Sequence, residues 1–556
     1  MPVLTFKGKT AVENHHHTVP HHVLELDADR SVLAKGEKPS LDGNLIIEGD
    51  NLLALKALLP THAGRIKCIY IDPPYNTGNE GWVYNDNLTQ PQFKEWIGQV
   101  VGKEGEDATR HDKWCCMMYP RLQLLRELLR EDGAIFISID DNEIAHLRSI
   151  SDDIFGAENY VATFIWEKRT TRENRRVFSF NHDYLVCYAL VKSQFESSRN
   201  LLPLTEEVEA RYANPDADKR GPWQSVSLNA QAGHGTPAQF YDIVLPSGRT
   251  LPPPTGRCWT VTKPKLEQLV ADGRVWFGKD GDGVPRLKLF RSEVEAGLTP
   301  HTLWRAAEVG TNDSAKKELI ELFDGKDAFE TPKPVGLIRR VLSICTDDGD
   351  IVLDPTAGSG TTAHAVIDLS HNGDGVRRFV LIQQRAESLD SKSNICDEVT
   401  AERVRRLIRG HTRPKRNGDA KQSEKVEGLG GSFSYARLGP PLLGEHKTWG
   451  EKPPAFGDLA QYIYFTETSR QLDAKEVNES TGRLGEHAGT SYYLLYTPDP
   501  KQSRPLDRNA MEAIAKDKAR RKVVYCEKLW LHRDELAAAR EQGNDVRPML
   551  LPFQVK

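Results

Sequence analysis

The run Ile66-Lys67-Cys68-Ile69-Tyr70-Ile71 passes directly into Asp72-Pro73-Pro74-Tyr75. Six largely apolar residues stopped by turn formers read as a buried strand. Two successive prolines cannot continue a central strand, so the chain must turn at Asp72. A carboxylate, a rigid carbonyl and an aromatic ring are thereby left at a strand's carboxyl end, where open α/β sheets bind their ligands. The flanking sequence agrees with such a sheet. Leu45 to Glu48 reads as a short strand, and Asn51 as the cap of a helix with Leu52, Leu55, Leu58 and Leu59 on one face. Tyr119-Pro120 opens a second helix through Leu122, Leu125 and Leu129, and Asp132-Gly133 turns it into a strand ending at Asp140-Asp141. Further strands are expected near 160–166 and 184–190. Alternating strand and helix of this kind predicts a doubly wound α/β fold.

The rhythm breaks between about 191 and 330. That stretch is rich in Gly and Pro and carries Trp223, Trp259, Trp276 and Trp304 without helical or strand periodicity. It reads as an inserted irregular domain, its tryptophans as core residues or as stacking platforms. The pattern resumes at Thr331, with a helix through Ile338, Val341 and Leu342, a strand to Leu353, a glycine-rich turn, a helix, and a strand from Arg378 to Ile382. A basic stretch at 401–425 reads equally as a DNA-tracking segment or as a solvated helix and linker. The remainder looks like a separate α+β domain. The expected domains are a polar arm over 1–40, α/β halves over 41–190 and 331–412, the insert over 191–330, and a C-terminal domain over 413–556.

The glycine-rich turn follows Asp354 as PTAGSGTTAHAV, 282 residues after Asp72. Gly358 and Gly360 let backbone approach a ligand closely. No lysine follows Gly360, so this is not a phosphate-binding Walker A loop. The carboxylate of Asp354 suits a cationic amine, such as the α-ammonium of S-adenosylmethionine (AdoMet), and the alternative is a tight turn of purely structural use. The first loop offers chemistry. An exocyclic base amine is a weak nucleophile because its lone pair is delocalised into the ring. A carboxylate (Asp72) and a fixed carbonyl (Pro73, held by Pro74) can accept its two N–H groups and turn lone-pair density toward a methyl donor. The Tyr75 ring can stack on a base taken out of a duplex. The bland alternatives are a strand terminator and an edge core tyrosine.

Together NLIIEGDNLLALKALL, IYIDPPYNTGNE, TPKPVGLIRRVL and LDPTAGSGTTAHAV resemble the amino-methyltransferases of the β order, in which the catalytic loop precedes the target-recognition region and the AdoMet loop follows it. The tail, with GGSFSYARLG, YIYFTETS and YYLLYTPDP, resembles that of Mod subunits of type III restriction-modification systems. The resemblance implies a Rossmann-like AdoMet-dependent methyltransferase sheet of circularly permuted motif order, an inserted target-recognition domain over 191–330, and a C-terminal domain for dimer or partner contacts. It implies catalytic roles for Asp72, Pro73, Pro74 and Tyr75. For AdoMet it implies Asp50, Asn51, Asp72, Lys333, Asp354, Ala357, Gly358, Gly360, Thr361 and Gln383. There are two departures. Thr356 stands where Mod proteins often have Phe, and Gln383 stands where an acid commonly binds a ribose. The expected activity is N6-adenine methylation of duplex DNA, since Asp in the first loop position goes mainly with adenine in this family. The alternatives are a cytosine N4 enzyme, a solitary methyltransferase without a restriction partner, an inactive DNA-binding specificity subunit, and an RNA or protein-glutamine methyltransferase. The expected partners are double-stranded DNA, a second copy of the chain, and a Res helicase-nuclease, because the chain has no Walker A motif of its own.

The net charge of −5 requires any nucleic acid to be held by local basic surface. Lys168, Arg169, Arg172, Arg175 and Arg176 form such a cluster, read either as a phosphate-binding loop or as a solvated surface loop. Eight scattered cysteines without CxxC, no long apolar run and no signal-like N-terminus lead to an expectation of a cytoplasmic protein with no membrane span. No metal site is expected, and the histidines at 15–17 and 21–22 read as a solvated arm.

Overall fold

The computed structural model describes residues 4–77, 110–172, 177–204, 206–293, 297–385, 393–414, 423–443, 448–449, 453–499 and 501–555. The chain divides into two compact units, Leu201–Pro300 and the rest.

The larger unit is built on a ten-stranded sheet. In chain order its strands are β1 (His22–Val32), β2 (Leu45–Glu48), β3 (Ile66–Ile71), β4 (Leu129–Ile139), β5 (Tyr160–Glu167), β6 (His182–Ala189), β7 (Leu303–Trp304), β8 (Ile351–Asp354), β9 (Arg378–Gln383) and β10 (Phe433–Pro441). In space the order is β1-β10-β2-β9-β8-β3-β4-β6-β5-β7. The six strands from β10 to β4 run parallel, β1 is antiparallel to β10, and β6 is antiparallel to both β4 and β5. The central strands are buried on both faces, as parallel sheets require, and so read as continuous apolar runs. This is the α/β sheet expected from the sequence. The position of β8 beside β3 puts Asp354 and Asp72 at the same edge.

Helices cover the sheet: α1 (Asn51–His62), α2 (Arg110–Leu128), α3 (Ile144–Phe155), α4 (Val335–Cys345), α5 (Thr361–His371) and α6 (Glu402–Arg409). Leu55, Leu58 and Leu59 of α1 and Trp114, Met118, Leu122 and Leu125 of α2 belong to one core with Ile69, Ile135 and Leu353 of the sheet. The α1 cap is Asp50, not Asn51: its carboxylate accepts from the Leu52 and Leu53 amides. Helix α2 starts at Arg110, well before Tyr119-Pro120, and carries Pro120 in its interior. Burial of Trp114, Cys115, Cys116 and Met118 sustains the earlier turns despite the hydrogen bond that Pro120 forfeits.

Three boundaries differ from expectation. The first forty residues are not a free polar arm, because β1 is an edge strand of the main sheet and His16 is buried. Burial also pushes His21 down to about 3, so it is neutral at physiological pH. The compact insert spans 201–300 rather than 191–330. Trp304 lies in β7, fully buried, with its ring 4.5 Å from that of Phe164. The segment after 413 does not begin a separate domain, since β10 pairs with β2 in the central sheet. Beyond it, Arg483–His487, Thr490–Leu495, Arg521–Cys526 and Asp545–Leu550 form a four-stranded sheet packed against the helix Phe456–Thr468.

The smaller unit has a three-stranded sheet, Val275–Trp276, Arg286–Phe290 and Trp223–Ser227, and a core of Leu228, Ile243, Leu245, Trp259, Leu266 and Val275. Trp223 and Trp259 are buried. Among the described residues no helix is long and apolar enough to cross a membrane.

Candidate active site

Parallel pairing of β3 with β8 delivers two carboxylates to one pocket, lined by Tyr70, Asp72, Lys333, Asp354, Gly358 and Thr361 among others. The two strand ends are tied directly. The Thr356 hydroxyl accepts from the Asp72 amide (2.9 Å) and lies 3.4 Å from Asp354 Oδ1, to which it donates. The Thr356 hydroxyl thus joins the two loops.

Lys333 enters from the segment before α4. Its ammonium pairs with Asp72 Oδ2 and lies 5.2 Å from the centre of the Tyr75 ring. The other carboxylate oxygen, Asp72 Oδ1, is buried and has no hydrogen-bond partner among the described residues. A buried acceptor of that kind carries a desolvation cost that a donor would relieve. Burial, and then the Asp72 charge, hold the half-buried Tyr75 phenol well above its ordinary range, so the ring stays neutral. The Pro74 carbonyl accepts from the Trp114 indole (2.7 Å), and Asn76 adopts a left-handed φ of 56° while its amide donates to Glu143. The loop is clamped from α2 and from the start of α3.

The glycine loop is organised differently. Asp354 Oδ1 accepts from the Thr356 amide (3.0 Å) and Oδ2 from the Thr362 hydroxyl (2.5 Å). Burial raises this carboxyl to about 7, with the Asp72 charge adding to the effect. Gly358 and Gly360 both have positive φ, 52° and 79°. A Cβ on Gly360 would sit 3.0 Å from the Thr400 carbonyl oxygen, so both backbone conformation and space call for glycine there. The Gly358 amide donates to Gln383 Oε1 (2.8 Å), and its carbonyl accepts from the Thr400 hydroxyl (2.6 Å). Gln383 therefore props the loop from the end of β9.

Asn51 donates to the Pro355 carbonyl (3.2 Å) and accepts from Arg121 (2.7 Å), whose guanidinium also lies 3.7 Å from Asp50. The positions singled out from sequence, Asp50, Asn51, Asp72–Tyr75, Lys333, Asp354, Ala357, Gly358, Gly360, Thr361 and Gln383, thus sit on the strand ends and loops at one edge of the sheet. Ala357 is anchored by its amide to the Ile382 carbonyl (3.1 Å). Two supporting residues escaped the sequence reading. Arg121 lies inside an apolar helix. Arg403 lies in the basic stretch, yet it is fully buried and donates to Ser359 Oγ and Thr361 Oγ1, both at 3.0 Å. Burial lowers it to about 10, which leaves it charged at neutral pH. The neighbouring Arg405 and Arg406 pair with Asp397 and with Asp324 and Glu402. These three arginines of the 401–425 stretch hold the protein together.

Of the basic cluster after β5, Lys168 pairs with the buried Asp183 (2.5 Å), and Arg169 donates to the Phe180 carbonyl (3.0 and 3.1 Å). Arg172 is exposed, as are Val177 and Phe178. Arg175 and Arg176 lie outside the described residues.

The comparisons agree with this geometry. The family described as DNA methylase matches residues 66–398. The Mod subunit of the type III restriction-modification enzyme StyLTI from Salmonella typhimurium is 34% identical over 69% of this chain and 59% of its own length. The EcoPI Mod subunit of Escherichia phage P1 is 33% identical over 66% of this chain and 62% of its own. For the EcoP15I Mod subunit of Escherichia coli the figures are 30%, 65% and 62%. The chain thus spans about three fifths of the length of these curated relatives. With the matched region running from β3 through the glycine loop and beyond β9, the chain belongs to the DNA methylase family.

Proposed function

We propose that this chain transfers a methyl group from AdoMet to adenine N6 in double-stranded DNA, as the modification subunit of a type III restriction-modification system. The observation that carries the reading is Asp72. One of its oxygens is held by Lys333, and the other is buried in the pocket shared with the glycine loop and lacks a partner among the described residues.

The residues present fit the cofactor. Two positive-φ glycines give close backbone approach, and Asp354, poised near neutrality by burial, suits an ammonium that would stabilise its charged form. Asp354, Gly358, Gly360, Thr361 and Lys333 would hold it, with Asp50 and Asn51 nearby on the β2–α1 turn. When bound, AdoMet supplies an electrophilic methyl whose sulfur leaves with the C–S bonding pair. The rest of the work falls to the protein. Asp72 Oδ1 accepts one N–H of the base amine, and the Pro73 carbonyl accepts the other. Lone-pair density then faces the methyl, and after transfer the surplus proton passes from the nitrogen along its hydrogen bond to Asp72 Oδ1 and on to solvent. Lys333 fixes the carboxylate in place. Tyr75, neutral, offers its face to a base extruded from the stack. Arg169 and Arg172 would meet DNA phosphates beside it, and the unit 201–300 would read base edges. A Res subunit, a second copy of the chain and a cytoplasmic location belong to the same reading.

Transfer of tritium from labelled AdoMet to DNA tests the activity. Modification-sensitive sequencing of DNA from an expressing host identifies the base and its context. Absence of incorporation into any genomic DNA, with cofactor binding intact, would replace the proposal with an inactive specificity subunit.

A further inference from the structure

Glu143, immediately before α3, is completely buried. Its side chain does not cap the helix but turns inward, where two imidazoles flank the carboxylate. Oε1 lies 2.7 Å from His111 Nδ1 and accepts from the Asn76 amide. Oε2 lies 2.9 Å from His146 Nδ1, but the pair is misaligned for a hydrogen bond. Both atoms are buried and unsatisfied among the described residues. The two imidazoles stack with centroids 4.5 Å apart and planes 23° from parallel. One potential ligand atom from each of the three residues lies within 4.8 Å of the others.

A buried carboxylate needs a countercharge. In their present positions the Glu143 Oε2 and His146 Nδ1 atoms stay misaligned, each buried without a hydrogen bond among the described residues. A single divalent ion satisfies everything together, because it takes neutral imidazole nitrogen and ionised carboxylate oxygen as ligands. Bonds of about 2.0–2.2 Å from a tetrahedral ion hold ligand atoms roughly 3.3 Å apart, which small side-chain adjustments reach from the present distances. The helices supply the spacing: Glu143 and His146 are one turn apart at the start of α3, and His111 sits in the first turn of α2.

We propose that His111, Glu143 and His146 bind a borderline divalent transition ion, zinc foremost, with a fourth position open to water. Its role is positional. The ion fixes Glu143, Glu143 holds Asn76 in its left-handed conformation, and Asn76 sets the exit of the Asp72–Tyr75 turn. Trp114, one turn beyond His111 on α2, grips Pro74 of the same loop. The site is independent of the methyl-transfer reading, and its test needs neither DNA nor AdoMet.

The full chain is stripped with a chelator, dialysed, and titrated separately with zinc and cobalt(II), with metal content and visible absorption as readouts. The expected result is one tightly held equivalent per chain and cobalt absorption bands of a four-coordinate N/O site. Glu143→Gln and His146→Ala should each weaken binding by about a hundredfold or more. Zinc should raise the Tm of the wild type and not of these variants. His146→Gln, at a half-exposed ring, provides the same comparison should burial make Glu143→Gln unfold by circular dichroism. His15→Ala with His17→Ala, which removes imidazoles of the histidine-rich leader, serves as control and should leave the equivalent in place. Binding lost in that control but kept in Glu143→Gln overturns the proposal, as does the absence of a retained equivalent in the wild type.

Discussion

The Asp72 loop and the Asp354 loop sit on neighbouring strands and begin with the same residue type, yet they are finished differently. Among the described residues Asp72 keeps a buried oxygen without a partner, whereas both oxygens of Asp354 are taken up by Thr356 and Thr362. Around Asp354 the loop is saturated by Gln383, Thr400 and Arg403. Around Asp72 the clamps reach Pro74 and Asn76 but leave the acceptor open. The first arrangement stores an unmet demand for a donor, and the second prebuilds a shape. Reaction and binding should therefore separate on mutation.

The largest expected effect breaks the first loop alone. Asp72→Ala should reduce methyl transfer by about a thousandfold or more while AdoMet affinity, by calorimetry, stays within a few-fold. Comparable turnover in this variant would end the distinction. Gly360→Val should do the reverse and abolish cofactor binding. A side chain there faces the Thr400 carbonyl at a φ of 79°, and urea unfolding should register a loss of about 1–3 kcal/mol. Gly358→Val, at a φ of 52°, should also block the cofactor, and unchanged AdoMet affinity would move the pocket elsewhere.

A pH experiment sharpens the comparison. Asp354 is raised to about 7, so without ligand it is largely protonated below that pH, and its contribution to stability is lost as pH rises from about 4 through 7. A cationic ligand prefers the ionised form. AdoMet should therefore bind more weakly as pH falls below 7, approaching tenfold per unit, and Asp354→Asn should flatten the profile. An affinity independent of pH between 5.5 and 8 in the wild type would remove Asp354 from contact with the ammonium. The smallest effect tests the link between the loops. Thr356→Val deletes the acceptor of the Asp72 amide and should cost about 1 kcal/mol and a few-fold in kcat, with KM for AdoMet little changed.

The parts of the fold set by local pattern were legible in the sequence: the β3 and β8 strands, their turns, and the order of the two loops around an insert. What was not legible depends on contacts that sequence spacing does not encode. Asn51 looked like the helix cap because Asn and Asp are interchangeable there, and only the Leu52 and Leu53 amides distinguish Asp50. The histidine-rich leader read as solvated because polarity suggests exposure, although β10 lies over 400 residues away to receive β1. Arg403 read as surface charge because its neighbours are basic, yet it points into the glycine loop. Thr356 and Gln383 read as departures from a family pattern, whereas the structure gives each a hydrogen bond that supports a loop. No periodicity announces His111, Glu143 and His146 as a cluster, since they meet only when α2 and α3 flank the same turn.

The anchoring of the chain where it leaves and rejoins the larger unit has an evolutionary consequence. At the exit, Asn200 donates to the Ile344 and Thr346 carbonyls, and at the return β7 pairs with β5. Both attachment points are thus secured by residues of the larger unit itself. Closing a longer or shorter excursion between them costs little, about 0.6 kcal/mol for each doubling in length. Exchanging the hundred residues between Asn200 and His301 would leave the loops at Asp72 and Asp354 untouched, so a lineage could swap this segment wholesale without redesigning them.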